Sequence, residues 1–413
     1  MFCANRKILI MIALLSALAR PAPGIAQESP FPVPPGLEGA VEFWRQVFTR
    51  YGSAEVLLFD PLDPSTIYQV VRAPENDQGR ALIEKERARI VTDYELVDEE
   101  SRLRSQRGAK EHFAEGLKIS GRYIAQMQKI FREEGLPAEL AYLPLVESSF
   151  NVRARSGVGA VGMWQFMLET GKKFMRIDGQ VDERRDPMAS TRAAARLLKQ
   201  NFRLFGSWPL AITAYNHGTE GVFRGIKEVE SDNLVNLIRH YQSPTFGFAS
   251  KNFYAEFLAV VEIATNRDTQ FPYLRSHPPM ALREVTVKRQ APLRSLLQPA
   301  AITHAEFFDW NPALDPKAKF VPVGYAVKLP PEKVAGFVAA ERRASMTAAN
   351  RKTPSAVKSS ARGKVSAVRG RSSKPAKKSG ARNAVKLASA RNSKQPVKAP
   401  AADSSAALKT ASR

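Results

Sequence analysis

A single carboxylate ends an otherwise apolar stretch, AYLPLVESSFN at residues 141–151. Leu140, Leu143, Pro144 and Glu147 follow the i, i+3, i+4, i+7 spacing of one helix face, which places the acid on the predicted buried stripe. A carboxyl among apolar neighbours loses hydration, and this favours its protonated form and raises its pKa. Cleavage of a glycosidic bond needs such a proton near neutral pH, for the departing oxygen. Spacing alone leaves a second interpretation open, an acid at a helix end that points to water.

The chain around Glu147 offers no second acid for a two-carboxylate glycosidase. The twenty residues after it contain no Asp or Glu, and Glu169 comes only after a glycine-rich segment. That segment, RSGVGAVGMWQF, has the glycine density that permits tight turns and close approach of the backbone to a ligand. A two-carboxylate mechanism therefore stays open but without support from the sequence.

Helices are predicted to position these residues. The helix before Glu147 has an apolar face and ends at Gly135; the face consists of Tyr123, Ile124, Met127, Ile130 and Phe131. Pro137 can begin the next helix, because the first helical position does not need the N–H that proline lacks. After the glycine-rich segment, Asp186 and Pro187 predict the start of a long helix that ends at Gly206. The stretches around AYNHG and NFYAEFLAVVEIA continue the helical pattern. We therefore expect a mainly α protein.

Four motifs, in this order and separation, resemble the lytic transglycosylases of glycoside hydrolase family 23, and most of all their membrane-bound D type. They are GLPAELAYLPLVESSFN, ARSGVGAVGMWQFM, DERRDPMASTRAAARLL and AITAYNHG, and the resemblance extends over about residues 110–330. It implies a goose-lysozyme-like helical catalytic domain. The implied reaction cleaves the β-1,4 bond between N-acetylmuramic acid and N-acetylglucosamine in peptidoglycan without water, because the muramic acid C6 hydroxyl closes on C1 to leave a 1,6-anhydro end.

The resemblance also implies the site residues. The single catalytic acid/base falls on Glu147, and the positions expected to bind substrate are Ser148, Gly162, Met163, Gln165, Tyr215, Asn216 and Tyr254. His217 stands where the family often has a small residue. Trp164 and Phe166 are expected to be core. The five histidines show no ligand spacing, so we expect neither a metal nor a cofactor.

A small α+β module is predicted for residues 276–335. LREVTVKR and YAVKLP have the pattern of strands around a helix that contains HAEFFDWNPAL, and this arrangement resembles a divergent lysin motif. Such modules bind the N-acetylglucosamine backbone of glycans. The usual Gly-Asp-Thr opening is absent here, so glycan binding and a purely structural role both stay open.

The net charge of +22 is concentrated outside the body of the protein. Residues 341–413 contain 19 Lys and Arg against Glu341 and Asp403, and only a charge of +2 falls on residues 27–340. Beyond Ala340 the chain has no aromatic residue and little apolar content, and residues 336–413 are predicted to be a disordered tail. The tail could bind nucleic acid, bind an anionic wall or membrane surface, or serve as an inert solvated linker. An export signal excludes binding to nucleic acid.

That export signal is predicted in residues 1–26, where two cations precede an apolar run and small residues. An uncleaved anchor is the alternative. Export would place the protein in the periplasm or cell envelope of a bacterium, and Cys3, the only cysteine, would leave with the leader. Between leader and module we expect an N-terminal helical region, 27–109, and the catalytic domain, 110–275. Peptidoglycan strands are the expected partner; a hydrolytic lysozyme and a non-catalytic wall-binding protein are the competing functions.

Overall fold

The computed structural model describes residues 29–96 and 102–350, with side chains up to residue 346. The predicted signal peptide and the predicted tail beyond residue 350 lie outside this part of the chain. Three hydrophobic cores organise the described residues: a large one for the helical body, a small one under the N-terminal sheet and one within the C-terminal module.

The N-terminal region contains a sheet as well as helices. Its elements are α1 (Glu38–Thr49), β1 (Glu55–Asp60), β2 (Asp63–Arg72), α2 (Asp77–Asp93) and β3 (Arg104–Arg107), with antiparallel strand order β2-β1-β3. Leu57 and Phe59 of β1 join the large core, whereas Val56 and Leu58 join the small one. The expected helical region is corrected here to a mixed one, because a central strand covered on both faces has a continuous apolar sequence that resembles a buried helix.

Helices dominate the middle of the chain, as predicted. They are α3 (Lys110–Ser120), α4 (Ile124–Glu133), α5 (Leu143–Glu147), α6 (Leu168–Lys172), α7 (Pro187–Phe205), α8 (Trp208–His217), α9 (Thr219–Val229), α10 (Leu234–His240), α11 (Phe248–Thr265) and α12 (Arg267–Gln270). The α7 helix begins as expected: Asp186 Oδ1 accepts hydrogen bonds from the backbone N–H groups of Met188 and Ala189, at 3.0 and 2.9 Å. It ends at Gly206, which is left-handed with φ 63°.

The helix expected from Pro137 to Glu147 is divided in two. A 3₁₀ turn spans Ala138–Tyr142, and the α5 helix follows directly. Pro144 has no N–H to donate to the preceding turn, so a continuous α-helical hydrogen-bond ladder cannot pass through it. The predicted buried stripe survives this change, since Leu140, Leu143 and Pro144 are all buried.

The C-terminal module is a small α+β unit, as expected. It consists of β4 (Arg283–Thr286), β5 (Ala291–Pro292), α13 (Leu293–Leu297), α14 (His304–Trp310), β6 (Phe320–Val321), β7 (Ala326–Leu329) and α15 (Pro331–Asn350). The strands form two antiparallel pairs, β4 with β7 and β5 with β6. This architecture does not test the resemblance to a lysin motif, which stays a prediction.

The module extends beyond the predicted boundary at residue 335. Helix α15 continues to Asn350, its Phe337 is fully buried, and the Glu341 carboxylate accepts a hydrogen bond from the backbone N–H of Lys288 at 2.8 Å. Residues 336–341 therefore belong to the folded module, because they complete its core and satisfy one of its backbone donors.

The module packs directly against the helical body. The backbone N–H of Asp182 donates to the Ala313 carbonyl at 2.8 Å, and Val181 is buried in the core of the module. Lys328 Nζ lies 2.6 Å from Asp186 Oδ2, and both side chains are largely buried. A backbone bridge, an apolar contact and a buried ion pair thus hold the two units together.

Candidate active site

Glu147 ends α5 and lines a cavity of about 200 Å³ in the helical body. The walls come from α1, β3, α3, α5, α8 and α11, and include Trp44, Phe48, Gln106, His112, Ser148, Asn216, Phe248, Phe253 and Glu256. Apolar side chains supply most of the surface, so water hydrates the carboxyl poorly. Burial raises the pKa of Glu147 to about 8, and the negative charge of Glu256 adds to the effect. A pKa of about 8 favours the protonated form at neutral pH, in line with the first of the two interpretations that the sequence left open.

A second carboxyl, that of Glu256 on α11, lines the same cavity. Burial raises its pKa to about 8 as well. The sequence showed no acid in the chain after Glu147, but the surroundings of Glu147 in space are not empty. Glu256 was missed because only neighbours along the chain were considered. The signal was present: Glu256 interrupts the apolar stretch NFYAEFLAVVEIA as Glu147 interrupts its own.

Ser148 lies at the cavity, as expected for a substrate contact, and also fixes the next loop. Its hydroxyl donates to the Met163 carbonyl at 2.9 Å, while the Met163 side chain is fully buried. This hydrogen bond ties the end of α5 to the glycine-rich segment. Ser148 can thus position both Glu147 and the loop beside it.

The expected Gly162 and Gln165 contacts form the turn of that loop. Gly162 has φ 80°, and a Cβ there would overlap the backbone carbonyl of Arg184, so no larger residue fits. Gln165 also has positive φ, 46°, and its Nε2 donates to the Gly162 carbonyl at 2.8 Å. Gly162, Gln165 and Met163 do not line the cavity. Their placement supports a role in shaping the loop, and direct substrate contact by them stays a prediction.

Tyr215 and Asn216, at the end of α8, lie on the Glu147 side of the body. The Tyr215 hydroxyl donates to the Trp164 carbonyl at 2.8 Å. Burial and the charge of Glu147 together raise the Tyr215 pKa well above its usual value. Asn216 lines the cavity, and its Oδ1 accepts a hydrogen bond from Ser250 at 2.8 Å. The Asn216 amide nitrogen is the group left to meet a ligand.

His217, the departure from the family pattern, packs beside the site. Its ring centre lies 4.9 Å from that of Phe246, and it is not a cavity residue. The substitution therefore changes packing behind α8 while Asn216 still reaches the cavity.

The structure does not bring Tyr254 to the cavity. Its side chain is fully buried, and its hydroxyl donates to the Pro32 carbonyl at 2.8 Å. Its neighbour Phe253 lines the cavity instead. Trp164 and Phe166 are buried core residues, as expected.

The N-terminal region, for which the sequence predicted no function, builds one wall of the cavity. Trp44 and Phe48 of α1 and Gln106 of β3 all line it. The Trp44 indole N–H donates to Asn252 Oδ1 of α11 at 3.0 Å, and this fixes α1 to the helix that carries Glu256. Isolated apolar and amide side chains have no sequence signature of a site, which is why this wall was missed.

Residues 29–96 and 102–350 contain no group of three acidic, histidine or cysteine side chains placed to hold a metal ion. Over the same ranges, no helix combines the length and apolar character needed to cross a membrane.

Comparison with known proteins finds similarity in the part of the chain that contains Glu147. Residues 125–237 match the family described as the transglycosylase SLT domain. Over 98 residues the chain is 39% identical to membrane-bound lytic murein transglycosylase D of Escherichia coli K12. The aligned stretch covers 23% of this chain and 22% of the relative. It is also 39% identical over 111 residues to a putative tributyltin chloride resistance protein of an Alteromonas species, covering 26% of this chain and 54% of the relative.

Solved structures similar to this chain include lytic transglycosylase Slt of Pseudomonas aeruginosa, as an inactive mutant. That match has 23% identity and a TM-score of 0.29, and covers 37% of this chain and 25% of the other. The similarity to all these proteins is thus local. The chain spans between about a fifth and about half the length of the two relatives named above.

Proposed function

We propose that this protein is a peptidoglycan lytic transglycosylase that cleaves the β-1,4 bond between N-acetylmuramic acid and N-acetylglucosamine and leaves 1,6-anhydro ends. The observation that carries the proposal is the carboxyl of Glu147 in a largely apolar cavity, within the segment that matches the transglycosylase SLT domain. An acid that keeps its proton at neutral pH meets the first requirement for expelling a sugar oxygen.

Glu147 would act twice in this reaction. Its proton passes to the glycosidic oxygen as the bond to C1 breaks, and the resulting carboxylate then takes the proton of the C6 hydroxyl as that oxygen bonds to C1. No water is consumed, and Glu147 ends protonated, ready for the next cut. Ser148 and Tyr215 support this cycle through their hydrogen bonds to the glycine-rich loop, which keep the loop in place while Glu147 changes charge.

Hydrolysis is the second candidate, and the presence of Glu256 favours considering it. Inverting glycosidases use a second carboxylate to activate water, and Glu256 shares the cavity with Glu147. The two reactions differ in the new end of the glycan, an anhydro end for the lyase and a reducing end for the hydrolase.

Mass analysis of muropeptides released from purified sacculi separates these functions. The lyase releases products with anhydro ends, lighter by one water than the reducing products of a lysozyme. Reducing ends alone would replace the proposal by hydrolysis, and sacculi that bind the protein without any release would indicate a wall-binding protein.

The proposed substrate also determines the proposed location. Peptidoglycan lies outside the cytoplasm, so the protein would act in the periplasm or cell envelope, which agrees with the predicted export signal. Glycan binding by the C-terminal module and adhesion of the basic tail to anionic wall or membrane are further proposals.

A further inference from the structure

Two carboxyls facing one small cavity without a compensating cation are an unusual arrangement. Glu147 and Glu256 both line it, and neither has a hydrogen-bond or ion-pair partner among the described residues. Each carboxyl is poorly hydrated, so loss of a proton from one makes loss from the other harder. Nothing in the proposed reaction of Glu147 uses Glu256, and its burial therefore needs another explanation.

The other charged and titratable groups near the cavity do not remove this coupling. His112 of α3 lines the cavity, but burial lowers its pKa, so it is neutral near pH 7. Tyr215 of α8 keeps its proton. The Arg104 guanidinium of β3 stacks on the ring of Phe248, 4.4 Å from its centre, and Lys251 of α11 is also absent from the cavity wall. The remaining walls, from α1, α3 and α5, are mainly apolar.

We propose that Glu256 is a positioning residue for the proton of Glu147: its carboxylate, facing the same cavity, makes ionisation of Glu147 unfavourable and so keeps the acid ready above neutral pH. The inference rests on the proposed function, because it assigns Glu256 a role in the same reaction. Once Glu256 is ionised, its negative charge acts on Glu147 through a poorly screened space. Once Glu147 has given its proton to the leaving oxygen, the same repulsion favours recovery of a proton from the C6 hydroxyl.

The test is the pH profile of anhydro-muropeptide release by the full chain, at low sacculus concentration, with Glu256→Gln. Glutamine keeps the size of the side chain and removes its charge. We expect the alkaline limb of the profile to move to lower pH by about one unit, the size typical of interacting carboxyls. The readout is the position of the limb and not the height of the profile, since Glu147 is protonated on the acidic side in both proteins.

Two further variants separate this role from a structural one. Glu256→Asp retains the charge, so its alkaline limb should lie close to the parent position. Glu262→Gln removes an exposed acid from the same helix and should leave the alkaline limb where it is in the parent. If Glu256→Gln perturbs the fold, carbon-13 NMR titration of the parent tests the coupling directly, because two interacting carboxyls titrate in two separated steps and two independent ones do not. The inference is overturned if the Glu256→Gln limb coincides with the parent limb, or if the rate falls equally at every pH. Absence of anhydro products from the parent protein would instead remove the proposed function.

Discussion

Burial decides what the carboxyl of Glu147 can do. On the surface it would be ionised at neutral pH, whereas in its cavity the pKa is about 8. The same burial opposes folding whenever the group must ionise, so the site has a pH-dependent cost.

The first prediction concerns stability and pH. The Glu147 pKa rises from 4.5 to about 8 on folding, so its stabilising contribution is complete below pH 4.5 and is lost as pH rises through 8. Glu147→Gln removes this dependence. We therefore expect the Tm of the parent to decrease more steeply between about pH 5 and pH 8 than that of the variant. Thermal unfolding across this range measures the difference.

The control for this measurement is Glu262→Gln, since Glu262 is exposed. It should keep the steep parent profile. Parallel profiles for Glu147→Gln and the parent would show that Glu147 is hydrated and ionised in the folded protein, and a raised pKa for this carboxyl would then be wrong.

Sequence reasoning at this scale identified the acid but not its partner. Glu147 could be found because helix periodicity and the motif both act over a few residues. The proximity of Glu256 depends on how α11 packs against α5, and this long-range contact has no local signature. Tyr254 shows the opposite error: a suitable residue type in a suitable motif, placed by packing against Pro32 and away from the cavity.

At the scale of elements, a buried ion pair is one of the contacts that hold the C-terminal module against the helical body. Asp186 caps α7 with its Oδ1, and its Oδ2 accepts from Lys328 of β7. The Asp186 side chain is only 1% exposed in that pair, so water cannot replace the ammonium. One carboxylate thus both starts a helix of the catalytic region and holds the module in place.

The second prediction is that Lys328→Met destabilises the protein by about 3 kcal/mol, because it leaves the charge of Asp186 buried without its partner. Methionine keeps the apolar stem, so the loss reports the missing charge. Chemical denaturation followed by circular dichroism measures it. Lys317→Met, a change at an exposed position, serves as the matched control and should lie within 0.5 kcal/mol or so of the parent. Equal stability of the two variants would refute the importance of this pair.

The elements themselves were predictable where local chemistry determines them. Asp186 and Pro187 predicted the start of α7, and Gly206 predicted its end, because caps act within one turn. The N-terminal sheet was not predictable in this way, since the pairing of β1 with β2 and β3 buries both faces and erases the alternation that marks a strand. The division of the α5 region follows from Pro144, a signal that the apolar periodicity concealed.

At the scale of the whole molecule, the cavity is shared between distant parts of the chain. The N-terminal region supplies Trp44, Phe48 and Gln106, and the segment that matches the transglycosylase family supplies Glu147 and Asn216. Helix α1 of the N-terminal region packs in the same hydrophobic core as α11. The 125–237 segment that matches the transglycosylase family is therefore not the whole site, because Glu256 and the N-terminal wall lie outside it.

The third prediction concerns the basic segment beyond the described residues. Residues 351–413 contain 17 Lys and Arg against a single Asp, Asp403. We expect their removal to weaken co-sedimentation with sacculi at low salt while Tm and the product spectrum stay the same. The cut follows α15, so Glu341 and Phe337 remain in the module. Added salt should reduce binding of the full chain in the same way, because screening weakens charge attraction.

A substitution of those Lys and Arg residues by Gln at constant length is the control for this deletion. It should lose retention as the truncation does. Equal co-sedimentation of the full and shortened chains at low salt would rule out a role for the charge in adhesion.

The central claim, that Glu147 is the acid/base of a peptidoglycan lyase, is tested most directly by Glu147→Gln. This variant keeps the shape of the side chain and removes its proton, and loss of general acid/base catalysis costs about 10²- to 10⁴-fold in rate. The exposed Glu169, ion-paired with Lys172, and the capping Asp186 do not reach the cavity, so Glu256 is the acid to examine if Glu147 proves dispensable.

The measurement is mass analysis of muropeptides from sacculi treated with equal amounts of folded parent and Glu147→Gln variant. We expect anhydro-muropeptides from the parent and a loss in the variant at or beyond the upper end of the range for general acid/base catalysis. Release of anhydro products by the variant at close to the parent rate would contradict the assignment of Glu147.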